Sequence, residues 1–193
     1  MSVASPIRLA GLVPVALLVG LFFSTPTQAA RSDLPRARLE AAFLVNFVRF
    51  TQWPVARFAS VDSPYVLTVV GADDVASAVR EVTDAAGTIH GRRISVRQVD
   101  GHDVRRHRQT MRGSHVVFVH RSAGIPSSDA LRLVSGASVL TVGDSPGFAR
   151  AGGMLGLVAS GPRMAFIANP DAIRASGLSV SAKVLKLARD IEA

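Results

Sequence analysis

The chain contains no cysteine. Disulfides cannot brace it, and zinc sites of the cysteine type are excluded. Glycine-rich phosphate loops are missing as well. Gly71-Ala72-Asp73-Asp74 follows an apolar run and opens a helical pattern, but it offers one glycine and two carboxylates that would repel a pyrophosphate. Asp144-Ser145 lacks the Gly-x-Ser-x-Gly frame of a hydrolase nucleophile. Acidic residues are few, 14 against 22 Lys and Arg, for a net charge of +8. That balance favours anionic partners such as lipid headgroups or acidic proteins. Beyond residue 29 no run reaches the roughly 18 apolar residues a membrane-spanning helix needs.

The amino terminus carries Arg8 and no acid, then an apolar run from Leu9 to Phe23, then Ser24-Thr25-Pro26-Thr27-Gln28-Ala29-Ala30. A charged start, a short apolar stretch and a small-residue exit make a secretory signal peptide, with cleavage expected after Ala29. As a helix the apolar run would span only about 22 Å, short of the roughly 30 Å hydrocarbon layer. Residues 1–29 are therefore read as the signal and residues 30–193 as one soluble domain in the periplasm.

Leu34 to Gln52 reads as a helix with Leu39, Ala42, Phe43, Asn46, Phe47 and Phe50 on one face, ended by Trp53-Pro54. Tyr65–Val70 is a buried strand, and Asp73 or Asp74 caps a helix to Ala86 that Gly87 stops. Strands follow at Arg93–Val99, Val116–Val119 and Ser138–Gly143, with a polar helix at Asp103–Met111 and another from Ser127 or Ser128 to Val134. Met154–Ala159 and Arg163–Ala168 form a hairpin, then come a short helix near Asp171–Ser176 and a last one from Ser179 or Ser181 to Ile191. Strand and helix alternate at βα spacing. The fold class is therefore α/β: a mostly parallel sheet with helices on both faces and an antiparallel carboxyl-terminal hairpin at its edge.

No catalytic, cofactor or metal site emerges. The five histidines are His90, His102, His107, His115 and His120, and no acid stands at a metal-ligand interval beside them in the sequence. The basic stretch His102–Arg112 has no interleaved aromatic for base stacking, so nucleic acid is not expected. Trp53, the only tryptophan, is expected to cover the core where the first helix ends.

Ala41-Ala42-Phe43-Leu44-Val45-Asn46-Phe47-Val48-Arg49-Phe50-Thr51-Gln52-Trp53-Pro54 resembles the opening signature of the YfiR-like periplasmic proteins. The later order is also similar: Val69-Val70-Gly71, Gly91-Arg92-Arg93-Ile94, Gly152-Gly153-Met154, Phe166-x-x-Asn169, and Gly177-Leu178 with Ser181. The resemblance covers about residues 38–190. It implies a non-enzymatic regulator that represses an inner-membrane diguanylate cyclase by binding its periplasmic part, lowering cyclic-di-GMP and with it biofilm formation. It also implies an OmpA-like outer-membrane lipoprotein as a second partner, and it leaves a homodimer open. Some relatives carry disulfides, which this chain cannot form. Relatives often have an acid after the Phe of Phe-x-x-Asn, where this chain has Ile167.

From the residues, the partner surface is expected on the hairpin, at Arg163, Ile167 and Met154, with Phe148 nearby. Phe43, Asn46, Phe47, Trp53, Pro54, Gly152, Gly153, Phe166, Asn169, Gly177 and Ser181 are expected to be structural. The alternative reading is a small-ligand binder or enzyme with a cleft at the carboxyl ends of the strands, lined by Gly71 and Gly143.

Overall fold

Valine-rich runs with no polar face belong in the middle of a sheet covered on both sides. The computed structural model, which describes residues 28–160 and 163–189, places them there. The chain runs through α1 (Gln28–Arg49), β1 (Thr51–Gln52), β2 (Tyr65–Val70), α2 (Asp73–Ala86), β3 (Ile94–Val99) and α3 (Arg108–Arg112). It continues through β4 (Val116–Val119), α4 (Ser127–Val134), β5 (Leu140–Gly143), β6 (Leu155–Ser160), β7 (Arg163–Ala168), α5 (Pro170–Ala175), β8 (Ser179–Val180) and α6 (Ala182–Leu185).

Six strands form one sheet in the order β3-β2-β4-β5-β6-β7. All neighbours are parallel except β7, which returns antiparallel to β6 and ends the sheet. The strand order reverses between β2 and β4, the place where open parallel sheets leave a crevice above the carboxyl ends. The short antiparallel pair β1–β8 ties the exit of α1 to the carboxyl-terminal segment.

Alternation splits the apolar side chains between two layers. Leu67, Val69, Val116, Phe118, Leu140, Val142 and Leu155 face α1 and α2. Val70, Val117, Val119 and Val139 face α3 and α4, with Phe148 among them. Phe148 fits because Gly143 and Gly153 lack side chains: a Cβ at either would lie 2.4 or 2.1 Å from its ring. Gly152 before it takes φ +97°, a conformation that costs glycine little.

The fold class is the one expected, with local differences. The N-cap of α2 is Ala72, and Asp73 and Asp74 fall in the first turn instead. The expected Asp103–Met111 helix is a 3-10 turn at Gly101–Asp103, capped by the Asp100 carboxylate, followed by the short α3. The last helix closes after one turn at Leu185 within the described residues. The α1 face is also rotated. Leu39 and Phe50 are 41% and 39% exposed and Asn46 is exposed, while Ala37, Glu40, Ala41, Leu44, Val45, Phe47 and Val48 are buried. No described helix is long and apolar enough to cross a membrane. The expected signal peptide lies outside the described residues, apart from its last two positions in the first turn of α1.

Candidate functional site

Parallel neighbours in register deliver their next residues to the same end of the sheet. Val119 of β4 pairs with Gly143 of β5, so His120 and Asp144 emerge side by side at the carboxyl end. From α1, Arg36 and Glu40, one helical turn apart, reach the same point.

The result is a buried charged cluster. Glu40 is 0% exposed and Asp144 is 2% exposed. Arg36 Nε donates to Glu40 Oε1 at 2.9 Å, and its terminal nitrogen reaches Asp144 Oδ2 at 3.3 Å. Asp144 Oδ1 accepts the Arg121 backbone N–H at 2.6 Å, and Oδ2 accepts Arg121 Nε. His120 Nε2 lies 3.5 Å from Asp144 Oδ2 and 3.9 Å from Glu40 Oε2. Two carboxylates thus face two guanidinium groups and an imidazole.

Burial pushes the Glu40 carboxyl up to about 7, and the Asp144 charge adds to the push, while Arg36 and Arg121 pull against both. Burial lowers the His120 pKa, with Asp144 and Asp74 opposing. The cluster therefore holds a carboxyl that changes charge near neutrality beside an imidazole inclined to stay neutral. Such a grouping can take up a proton or a cation. Along the sequence no acid stands at a metal-ligand interval beside a histidine. The fold brings residues 40, 120 and 144 together from three separate elements.

The second chemical feature is the sheet edge. Phe166 and Ala168 of β7 face the core, Arg163 is exposed, and Ala165 and Ile167 are half-buried. Arg189 N donates to Phe166 O, so the carboxyl-terminal segment covers part of the strand's outer side. Of the four residues expected to touch a partner, Arg163 and Ile167 lie on this edge. Phe148 and Met154 do not: they are core residues, Phe148 enclosed by Gly143 and Gly153 and Met154 packed with the α1-side core. Their apolar side chains gain more from burial than a surface position would give.

The signature residues have local physical reasons. Trp53 is buried, its Nε1 donating to His115 O at 3.1 Å, with its ring 5.3 Å from that of Tyr65. The exposed Pro54 follows it and opens a 3-10 turn. Phe43 and Phe47 set their rings 6.2 and 5.1 Å from that of Phe166, edge to face. Asn169 caps α5 by accepting from Ala172 N and donates to Ala149 O. Ser181 caps α6, Gly177 takes φ +71° after α5, and Asn46 accepts from Arg49 on the surface. At the crevice, Gly71 borders a small cavity with Asp73, Gln98, Asp100, His102 and Ser122. Gly143 lies under Phe148 and is not part of that cavity's lining.

A solved structure of a conserved domain protein from Vibrio cholerae O1 biovar El Tor matches the fold with a TM-score of 0.53 at 13% identity. The match covers 80% of this chain and 59% of that one, so this chain spans less than two thirds of its length. No curated protein is recognisably similar. The model of the YfiR/HmsC-like family, however, matches residues 37–189, from the third turn of α1 through the segment that pairs with β7. With nearly the whole described fold inside that match, the chain belongs to the YfiR/HmsC-like family.

Proposed function

We propose that this protein is a periplasmic regulator that binds the periplasmic part of an inner-membrane diguanylate cyclase and represses it, lowering cyclic-di-GMP. The observation that carries the reading is the family match over residues 37–189. Residues 1–29 serve as the cleaved signal, and an OmpA-like lipoprotein of the outer membrane draws the regulator away from the cyclase. The protein acts by contact and not by turnover. The geometry that supports this is the antiparallel strand at the end of the sheet, with Arg163 exposed at its start; around Ile167 the backbone edge is already paired with the Arg189 segment, so Ile167 offers its half-buried side chain there and not its backbone. Strand edges present backbone groups to which a partner can add.

The test is made in cells that contain the cyclase. Deleting the gene should raise cyclic-di-GMP, and the unmutated protein should restore the low level. Arg163→Glu and Ile167→Glu should accumulate as folded protein and fail to restore it. Unchanged cyclic-di-GMP on deletion refutes the function. Full repression by both folded variants removes this surface from it.

A further inference from the structure

We infer that Glu40, His120 and Asp144 form a binding site for a transition-metal dication of the zinc type, one that cross-links α1 to the ends of β4 and β5. Each residue offers one ligand atom, and these atoms all lie within 4.8 Å of one another. The imidazole nitrogen is 3.5 and 3.9 Å from the two carboxylate oxygens. Bonds of roughly 2.0–2.2 Å to a tetrahedral ion set ligand atoms about 3.3–3.6 Å apart, so small side-chain movements close the site. One imidazole with two carboxylates suits zinc and its neighbours, whereas magnesium and calcium prefer all-oxygen sets.

A second observation points to the same ion. Glu40 Oε2 is buried and has no hydrogen-bond partner among the described residues, although Oε1 is held by Arg36. Buried polar atoms are rarely left unpaired. This one lies toward His120 Nε2, where the ion would sit. The imidazole is also oriented from behind. His120 Nδ1 lies 2.6 Å from Ser122 Oγ, and the Ser122 hydroxyl donates to Gly71 O. With that hydrogen committed, Oγ accepts from Nδ1–H, and the Nε2 lone pair faces the two carboxylates. The Ser122 amide, 3.2 Å from Nδ1, favours the opposite tautomer, and an ion at Nε2 selects the first.

Arg36 and Arg121 balance the carboxylates when no ion is bound. Arg121 holds Asp144 through its backbone and side chain and fixes its direction. Arg36 is the competitor: its 3.3 Å contact to Asp144 Oδ2 is long, and its side chain is 29% exposed, so it can yield to a cation. Three protein donors leave a coordination position for water or for a group from another molecule.

Purified mature protein is stripped with a chelator, dialysed, and titrated with zinc chloride by calorimetry, and with cobalt(II) by visible spectroscopy. One equivalent should bind, with a cobalt spectrum that changes when the imidazole is removed. Glu40→Gln and His120→Asn should weaken binding at least tenfold, and Ser122→Ala about 10- to 100-fold. Arg36→Ala should bind as tightly as the unmutated protein or more so. Failure to bind one equivalent overturns the site. So does binding undiminished in Glu40→Gln and His120→Asn, which assigns the ion to surface histidines such as His102 and His107. His120→Asn alters a half-buried side chain, so it decides the question even if Glu40→Gln does not fold. No cyclase is present, so the result is independent of the regulatory reading.

Discussion

Replacing Glu40 by Gln should change how stability depends on pH, because two buried groups oppose each other in the unmutated protein. Glu40 holds its proton up to about pH 7, against 4.5 for an unperturbed carboxyl, because of burial and Asp144, with Arg36 and Arg121 opposing and His120 alongside. Between those values the unfolded chain has released a proton that the fold keeps, so stability falls as pH rises from 4.5 to 7. His115 does the reverse. Its ring stacks on Phe58 at 4.6 Å and meets Trp53 and Tyr65, and its Nδ1 accepts from Val66 N. Burial, with Arg57 and Arg92 nearby, lowers its pKa from 6.5 to about 4. In that window the unfolded chain binds a proton that the fold refuses, so stability falls as pH drops from 6.5 to 4. The downward shift of His120 acts in the same sense as His115.

Each proton is worth about 1.4 kcal/mol per pH unit, so each residue contributes on the order of 3 kcal/mol across its window, and the overlap nearly cancels. The unmutated protein should therefore show a shallower profile between pH 4.5 and 6.5 than a variant without the Glu40 carboxyl. In Glu40→Gln the histidine contribution stands alone, and stability should climb with pH at about 1.4 kcal/mol per unit or more over that range. The difference between variant and parent should grow in the variant's favour by about 3 kcal/mol from pH 4.5 to 7. Urea unfolding followed by Trp53 fluorescence, in chelator, measures it at half-unit steps. Parallel profiles for the two proteins would show that the Glu40 carboxyl is ionised throughout and refute the reasoning.

Trp53→Ala removes a buried ring and its hydrogen bond to His115 O, and should cost about 3–5 kcal/mol by thermal unfolding followed by circular dichroism. A loss below roughly 1 kcal/mol would contradict the packing. Gly153→Ala places a methyl 2.1 Å from the enclosed Phe148 ring and should cost about 1–3 kcal/mol, recovered in part by Phe148→Leu in the same chain. Absence of any such recovery would mean that the ring is not the obstacle. Mass spectrometry of protein exported from its native host should find Ala30 at the amino terminus, and an intact Met1 would refute cleavage after Ala29.

The sheet was legible because its signals are local. Val116–Val119 is apolar at every position and Leu140–Gly143 has Thr141 as its one polar residue, and a strand covered on both faces needs such a run. The hairpin was legible from its turn residues and from the alternation of Phe166 and Ala168 with Ile167 and Ala165. Phe148 and Met154 were misplaced for a related reason. Methionine and phenylalanine suit cores and interfaces alike, and the partner of the Phe148 ring is the missing side chain of Gly153, which leaves no apolar signal in the sequence. The short polar helices were less legible because side-chain caps such as Asp100 compete with helix propensity over three or four residues.

The charged cluster was hidden by the same residue that builds it. Ala37, Ala41, Leu44 and Val48 follow one another at intervals of three and four, a helical stripe like the one the structure buries. Glu40 falls inside that stripe. A carboxylate on an apolar face counts against the stripe, so the pattern search moves one residue round the helix to Leu39, Ala42, Phe43 and Asn46, two of which are exposed. The true face pays for a buried acid that packing alone would replace with leucine. That conflict between local pattern and fold is the expected mark of a site kept for chemistry. The other members gave no help, because His120 and Asp144 sit just past apolar strands, where a polar residue reads as a strand ending. The separation of 80 residues between Glu40 and His120 is closed only by the parallel order of β2, β4 and β5 beneath α1. The informative signal in the sequence was therefore a single glutamate out of place on an otherwise apolar stripe.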